Sequence, residues 1–180
     1  MLQNELLPED WQKHQIEAPT VISVWFEKKK GHDVKVIIAS PVYGPHASLI
    51  HDALQSIDIP CDIVNHEDDL LYELVRKNVY ILTSNIAGLA VDGTVGELWT
   101  DHQTFATQVA NEVIDIQEYL TGRTLPRDRL ISGMVEAFDA DPDHKCKGRS
   151  APVRLARALK LAAEADIETP ELSIIQQKYC

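Results

Sequence analysis

The sequence predicts an α+β fold: a small α/β unit over residues 1–66, then a mostly helical domain over residues 67–180. Three observations carry this. Short runs rich in β-branched and aromatic residues fall before residue 67, at 20–26, 34–39 and 61–64, and that is strand composition. Beyond residue 66 the apolar residues recur at three- and four-residue spacing, which is helical. Hydrophobic content of 44% and charged content of 25% in 180 residues suit one medium domain or two small ones with real cores.

Residues 1–18 read as a short helix with polar ends around Trp11. Residues 20–26 are the first strand. The polar run from Lys28 to Asp33 is a turn, and its lysines read as an edge device rather than a binding patch. Residues 34–39 are the second strand, paired with the first as a hairpin. Pro41, Gly44 and Pro45 make 41–45 a loop. Ile50, Ala53, Leu54 and Ile57 give a helix over 46–57, and Pro60 stops it. Residues 61–64 are a third, short strand.

A long helix follows over 67–91, amphipathic at first and later apolar all round. Thr100 and Gln103 have capping-box spacing. They would open a helix whose stripe of Phe105, Val109, Val113, Ile116 and Leu120 ends at Gly122. Leu130, Ile131, Met134, Val135 and Phe138 share one face of a helix over 127–138. Ser150 is an N-cap with Pro152 in the first turn, and Thr169 with Pro170 starts a last helix by the same logic.

Composition excludes several function classes. The net charge of −11 argues against nucleic acid and anionic membrane surfaces, since both need a basic face. Cys61, Cys146 and Cys180 are widely spaced without a C-x-x-C pair, so no disulfide framework or zinc ribbon is expected. Reduced thiols and a cytoplasmic setting fit. The first residues are too few and too acidic for a signal peptide, and no apolar run reaches membrane-spanning length. No G-x-S-x-G is present, and Ser84, His46 and Asp52 suggest no nucleophile elbow.

Two stretches carry candidate chemistry. The long helix places Lys77, Ile81, Ser84 and Asn85 along one side, with Lys77 and Asn85 about 12 Å apart in axial rise. An amine and an amide so placed can bracket a small polar molecule. Alternatively Lys77 snorkels to water and Asn85 bonds a neighbouring helix. The second stretch, 141–149, holds Asp141, His144 and Cys146, all metal-capable, but in one short loop with no second cluster, so no metal is expected. That loop is either solvated or presents Lys145, Lys147 and Arg149 to an anion.

The segment from Lys77 through Asn85 to Gly96-Glu97-Leu98 resembles the helix that opens the second domain of ketopantoate reductases. There a Lys, an Asn four residues on and an Asn eight residues on lead into a Gly-Glu-Leu turn. Here the middle position is Ile81. Gly148-Arg149, the helix after it and Pro170 resemble the family's closing pattern. The resemblance implies a partial Rossmann-like unit followed by a helical domain of the 6-phosphogluconate dehydrogenase C-terminal type. It further implies NADP-linked reduction of a small oxo- or hydroxy-acid, with Lys77 as catalytic proton donor. Asn85, Ser84, Lys147 and Arg149 would bind substrate, and the site would face a cleft between the two parts.

Two positions depart from the family. The family's Glu after Gly-Arg falls among Ser150, Ala151 and Pro152, and its middle Asn is Ile81. Also, none of the eight glycines forms the G-x-G-x-x-G turn that cradles a pyrophosphate. The chain is therefore expected to begin partway through the fold and to hold no cofactor alone. NADP would enter with a missing N-terminal half. The alternative is a non-catalytic helical module for dimerisation or small-molecule binding. A homodimer is expected, because the strands before residue 67 leave unpaired edges and the apolar part of the long helix needs cover. A small acidic metabolite is the expected ligand.

Overall fold

The computed structural model describes residues 5–179. By compactness the chain divides into residues 1–77 and residues 78–180, the division falling inside the long helix.

The first unit opens with α1 (Pro8–Lys13), six residues where 1–18 was expected; residues 1–4 lie outside the described residues. Pro8 fits the first helical position, where no N–H is needed. The Leu7 N–H donates to Asp10 Oδ2 at 2.9 Å, and Leu7 and Trp11 are buried on either side of that bond. The helix ends as Gln15 takes a left-handed φ of 56°.

The strand expected over 20–26 is two strands in two sheets. β1 (Val21–Ile22) belongs to a three-stranded sheet, and β2 (Phe26–Lys28) pairs with β3 (Val34–Val36) in a hairpin with Phe26 opposite Val36. The break has a physical reason at Trp25, which is fully buried. Its N–H donates to Ser40 Oγ at 2.9 Å and its carbonyl accepts the Ile37 N–H at 2.8 Å. Those bonds turn the backbone out of the first sheet.

The segment expected as a loop over 41–45 contains β4 (Ser40–Tyr43), the central strand of that sheet. It runs antiparallel to β1, with Ile22 opposite Val42, and parallel to β5 (Cys61–Ile63), with Val42 opposite Ile63. A proline in a central strand normally removes a ladder bond. Here Pro41 faces Ser23, at the frayed end of β1, and its carbonyl still accepts the Ser23 N–H at 2.9 Å. The proline therefore costs the sheet little. α2 (Ala47–Gln55) connects β4 to β5, and Ile22, Val42, Ala47 and Cys61 form a small core with Val24, Ile50 and Leu54 against it.

α3 (Glu67–Ala90) starts with Glu67, Asp68 and Asp69, acids that suit the positive end of the helix dipole. Every residue from 74 to 84 is buried, the polar Arg76, Lys77, Asn78, Thr83 and Ser84 among them. The buried amide of Asn78 has a partner: its Nδ2 donates to Gln117 Oε1 at 2.8 Å.

In the second unit the Gly-Glu-Leu turn is not a turn. It lies in the first turns of α4 (Val95–Asp101), where Thr94 and Glu97 form the capping box. The Glu97 N–H donates to Thr94 Oγ1 at 3.2 Å and the Thr94 N–H to Glu97 Oε2 at 2.8 Å. The box expected at Thr100–Gln103 does not form. Thr100 lies inside α4, and His102 precedes α5 (Gln103–Thr121) without a side-chain cap. Gly122, at φ 62°, ends α5 as expected.

α6 (Arg127–Ala140), α7 (Ala151–Glu164) and α8 (Pro170–Tyr179) complete the bundle, with Leu130, Met134, Phe138, Leu155, Leu172 and Ile175 buried in its core. Ile131 and Val135 of the expected apolar face are only half-buried. Ser150 precedes α7 as expected but makes no side-chain cap bond. α8 takes its cap from elsewhere. The buried Glu112 carboxylate of α5 accepts the Glu171 N–H at 2.8 Å and the Leu172 N–H at 3.0 Å. Burial raises the Glu112 pKa while these two backbone bonds oppose the rise.

Candidate functional site

Lys77 and Asn85 sit two turns apart on α3, and each side chain is held by its own unit. In the first unit the Lys77 amine donates to the Val24 carbonyl and lies 4.0 Å from the centre of the Trp25 ring. Arg76 lies over the same ring, its guanidinium carbon 5.5 Å from the centre. Two cations share one buried indole because the 23–25 segment, kinked out of the sheet, brings Trp25 under α3. Lys77 is 9% exposed, and burial pushes its amine down to about 8. The ring face and the carbonyl favour the charged form, so burial outweighs them.

In the second unit Asn85 is clamped from two sides. Its Oδ1 accepts from Arg154 Nη1 at 2.7 Å, and its Nδ2 faces Ser84 Oγ at 3.5 Å. A guanidinium only donates, so this contact fixes which end of the amide faces α7. Ser84 is buried and its hydroxyl donates to the Ile81 carbonyl at 3.3 Å, a bond back along its own helix. Ser84 therefore supports the Asn85 amide rather than reaching outward.

The 141–149 loop is stitched to the start of α4. The Val95 N–H donates to the His144 carbonyl at 2.8 Å, Gly96 to Pro142 at 3.0 Å, and Cys146 to Gly93 at 3.1 Å. Its far end passes close to α3. A Cβ on Gly88 would meet Cys146 Cβ at 2.7 Å, and one on Gly148 would meet Asn85 Oδ1 at 3.3 Å. Lys147 and Arg149, exposed, flank Gly148. The structure thus gathers Ser84, Asn85 and Gly148 with Arg154, and leaves Lys147 and Arg149 facing solvent on either side. Among the described residues no group of three His, Cys, Asp or Glu side chains is placed to hold a metal. Cys146 is buried, and burial, with Glu97 and Asp92 nearby, raises its thiol to about 11, which keeps it a poor nucleophile.

Arg154 was not legible as a site residue. A signal existed in the charge pattern. Six of the chain's basic residues fall between Lys145 and Lys160, with no acid from 145 to 163, in a chain of net charge −11.

Two strand-to-helix turns could in principle hold a dinucleotide pyrophosphate. Neither fits. At the β4–α2 turn, the space beside Gly44 is filled by the Pro19 carbonyl, 2.4 Å from where a Cβ would sit. The nearby His46 and Ala47 N–H groups already donate to Thr20 Oγ1 and to the Gly44 carbonyl, both at 3.0 Å. At the β5–α3 turn three acids stand where a phosphate would bind. Calorimetric titration of this chain with NADPH or NADH is accordingly expected to show no saturable binding at low micromolar cofactor; a micromolar dissociation constant would refute this.

No protein-family model matches the sequence, and comparison with curated proteins gives no match. Solved structures do match. A 2-dehydropantoate 2-reductase from Methylococcus capsulatus aligns over 98% of this chain and 62% of its own, at 11% identity and a TM-score of 0.63. A D-mandelate dehydrogenase in complex with NADH aligns over 98% and 66%, at 13% identity and a TM-score of 0.66. A dimeric ketopantoate reductase from Staphylococcus aureus aligns over 87% and 58%, at 16% identity and a TM-score of 0.57. The chain therefore spans about three-fifths to two-thirds of the length of these structures. The likeness establishes the fold: a Rossmann-like α/β unit followed by a helical domain, as in ketopantoate reductases. The resemblance first read from Lys77 to Leu98 carries through to the architecture.

Proposed function

We propose that this chain supplies the substrate-handling elements of a nicotinamide-linked reductase of small oxo- or hydroxy-acids, with Lys77 as proton donor. The observation that carries the reading is the buried Lys77 amine, brought down to about 8. A carbonyl oxygen gains negative charge as it is reduced, and the best donor has a pKa near the working pH. An ordinary lysine at 10.5 holds its proton too tightly for that task. Asn85 orients the substrate further along α3, Ser84 steadies Asn85, and Lys147 and Arg149 draw the acid toward the loop. A nicotinamide cofactor would need residues other than those of the β4–α2 and β5–α3 turns. The reading includes a cytoplasmic location.

The test is the protonation of Lys77 itself. In a chain with labelled lysine side chains, the Lys77 signal is expected to titrate near pH 8. Adding 2-oxobutyrate should raise that midpoint, because an anion beside the amine favours its charged form. A Lys77 midpoint that ignores saturating oxo-acid would refute the reading.

One observation favours a second reading, a non-catalytic helical module. The Val24 carbonyl and the Trp25 ring already engage Lys77, as they would engage a purely structural lysine. The same titration separates the two, since a structural lysine has no reason to respond to an oxo-acid.

We also infer a homodimer, supported by the short, edge-exposed strands of the first unit. Light scattering is expected to give twice the mass of the chain; a monomer mass at every concentration would rule this out. Among the described residues no helix is long and apolar enough to cross a membrane.

A further inference from the structure

A groove of about 450 Å³ lies between α4 and α6, wholly within the second unit. Trp99 of α4 lines it together with Ile131, Ser132, Val135, Glu136 and Asp139 of α6. None of the residues assigned to the oxo-acid belongs to it. We propose that this groove binds a small organic cation, an aryl-alkyl ammonium, with its charge at Asp139 and its apolar body on Trp99. The proposal does not depend on the reductase reading.

The apolar part of the groove is a face that the core leaves open. Ile131 and Val135, one turn apart on α6, are only half-buried, and so is Trp99. Trp99 is held in place by an edge contact with Phe138, the ring centres 6.4 Å apart, near the end of α6. The volume falls within the range of about 300–1,000 Å³ common to small-molecule sites. A docked peptide helix would need anchors over two turns or more, and here α6 offers one turn.

The charge selects the class of ligand. No lysine, arginine or histidine lines the groove. Asp139 is exposed, and its carboxylate has no ion pair or hydrogen bond among the described residues. It stands in the last turn of α6, at the negative end of the helix dipole, and no basic residue of that turn offsets it. The net charge of −11 adds a field of the same sign. Indole is the side chain that best attracts a cation to its ring face. A carboxylate beside a half-buried indole therefore favours an ammonium over a neutral or anionic ligand of equal shape.

The competing explanation is an incidental crease between two helices. A crease would take up apolar molecules without regard to their charge.

The experiment is an NMR titration of the full chain with 2-phenylethylammonium at constant ionic strength. 2-Phenylethanol serves as the neutral isostere and phenylacetate as the anion. The ammonium is expected to give saturable shifts at the Trp99 indole N–H and the Ile131 and Val135 methyl groups. 2-Phenylethanol should bind at least about fivefold more weakly, and phenylacetate should give no saturable shift. Asp139→Asn should weaken the ammonium by about fivefold and leave 2-phenylethanol unchanged. Asp139→Lys should abolish the preference for the ammonium. Trp99→Leu should remove the binding of both. Should Trp99→Leu not fold, the wild-type shifts and the two Asp139 variants still decide, because Asp139 is exposed. Shifts centred elsewhere, equal affinity for the alcohol, or full ammonium affinity in Asp139→Asn and Asp139→Lys would overturn the proposal. A response at Trp99 to a Leu-Lys amphipathic peptide, with none to the ammonium, would overturn it in favour of a protein partner.

Discussion

Gly88→Ala lowers the melting temperature by about 2–4 °C, the shift that ~1 kcal/mol gives in a chain of this size. Two effects oppose each other. Alanine in place of glycine inside a helix gains about 1 kcal/mol of propensity. Against that, the new Cβ would sit 2.7 Å from Cys146 Cβ and 2.8 Å from the Lys147 nitrogen. These atoms are not the far ends of flexible chains. Cys146 is buried, and its N–H is bonded to Gly93. Overpacking of this kind costs about 1–3 kcal/mol, so the clash wins. Gly88→Val should cost more, having a bulkier side chain in the same gap.

The same substitution pushes the loop away from α3, and with it Gly148 from Asn85. Gly122 provides the contrast. It has nothing within 4 Å, so Gly122→Ala should cost only the left-handed conformation, about 1–2 kcal/mol, and leave the loop undisturbed. Thermal melts of both variants check the pair. A Gly88→Ala protein as stable as wild type would mean that the loop does not pack on α3 as described.

The second large effect concerns Lys77 and pH. Folding brings its amine from 10.5 down to about 8. Between those values the unfolded chain still holds the proton and the folded chain has released it. Raising the pH through this window therefore favours folding. A tenfold change in proton affinity is worth ~1.4 kcal/mol, so the gain is on the order of 3 kcal/mol at most. It is absent below pH 8, where the amine is charged in both states. Lys77→Met removes the titrating group and keeps an apolar stem of similar length. Denaturant unfolding from pH 7 to pH 10.5 should show wild type gaining stability relative to Lys77→Met. Parallel pH profiles for the two proteins would show that the amine is not held by burial as the structure places it.

The helices were the legible part of the fold, because each carries its own periodicity and starts or stops on local signals such as Pro170 and Gly122. The strands were less so. They are two to four residues long, too short for alternation to declare itself, and their pairing depends on partners far along the chain. Pro41 hid the central strand, since nothing local shows that the bond it cannot make falls where β1 ends. The two capping boxes had the same spacing signature. Glycines at 93 and 96 made the true one look like a turn, and the close approach of Gly96 to Pro142 explains why a glycine stands there. In the site, Lys77 and Asn85 could be singled out because polar residues in an apolar helix need partners. The partners themselves could not be named. Trp25 reaches Lys77 through a kink in the backbone, and Arg154 reaches Asn85 from 69 residues away.

The central claim is that the Lys77 amine gives its proton to the carbonyl oxygen of an oxo-acid. A crystal structure of the chain soaked with 2-oxobutyrate tests it most directly. The account predicts density at Lys77, with the keto oxygen within about 2.6–3.2 Å of its Nζ. Density seated elsewhere, with the Lys77 amine still turned to the Val24 carbonyl and away from the ligand, would contradict it.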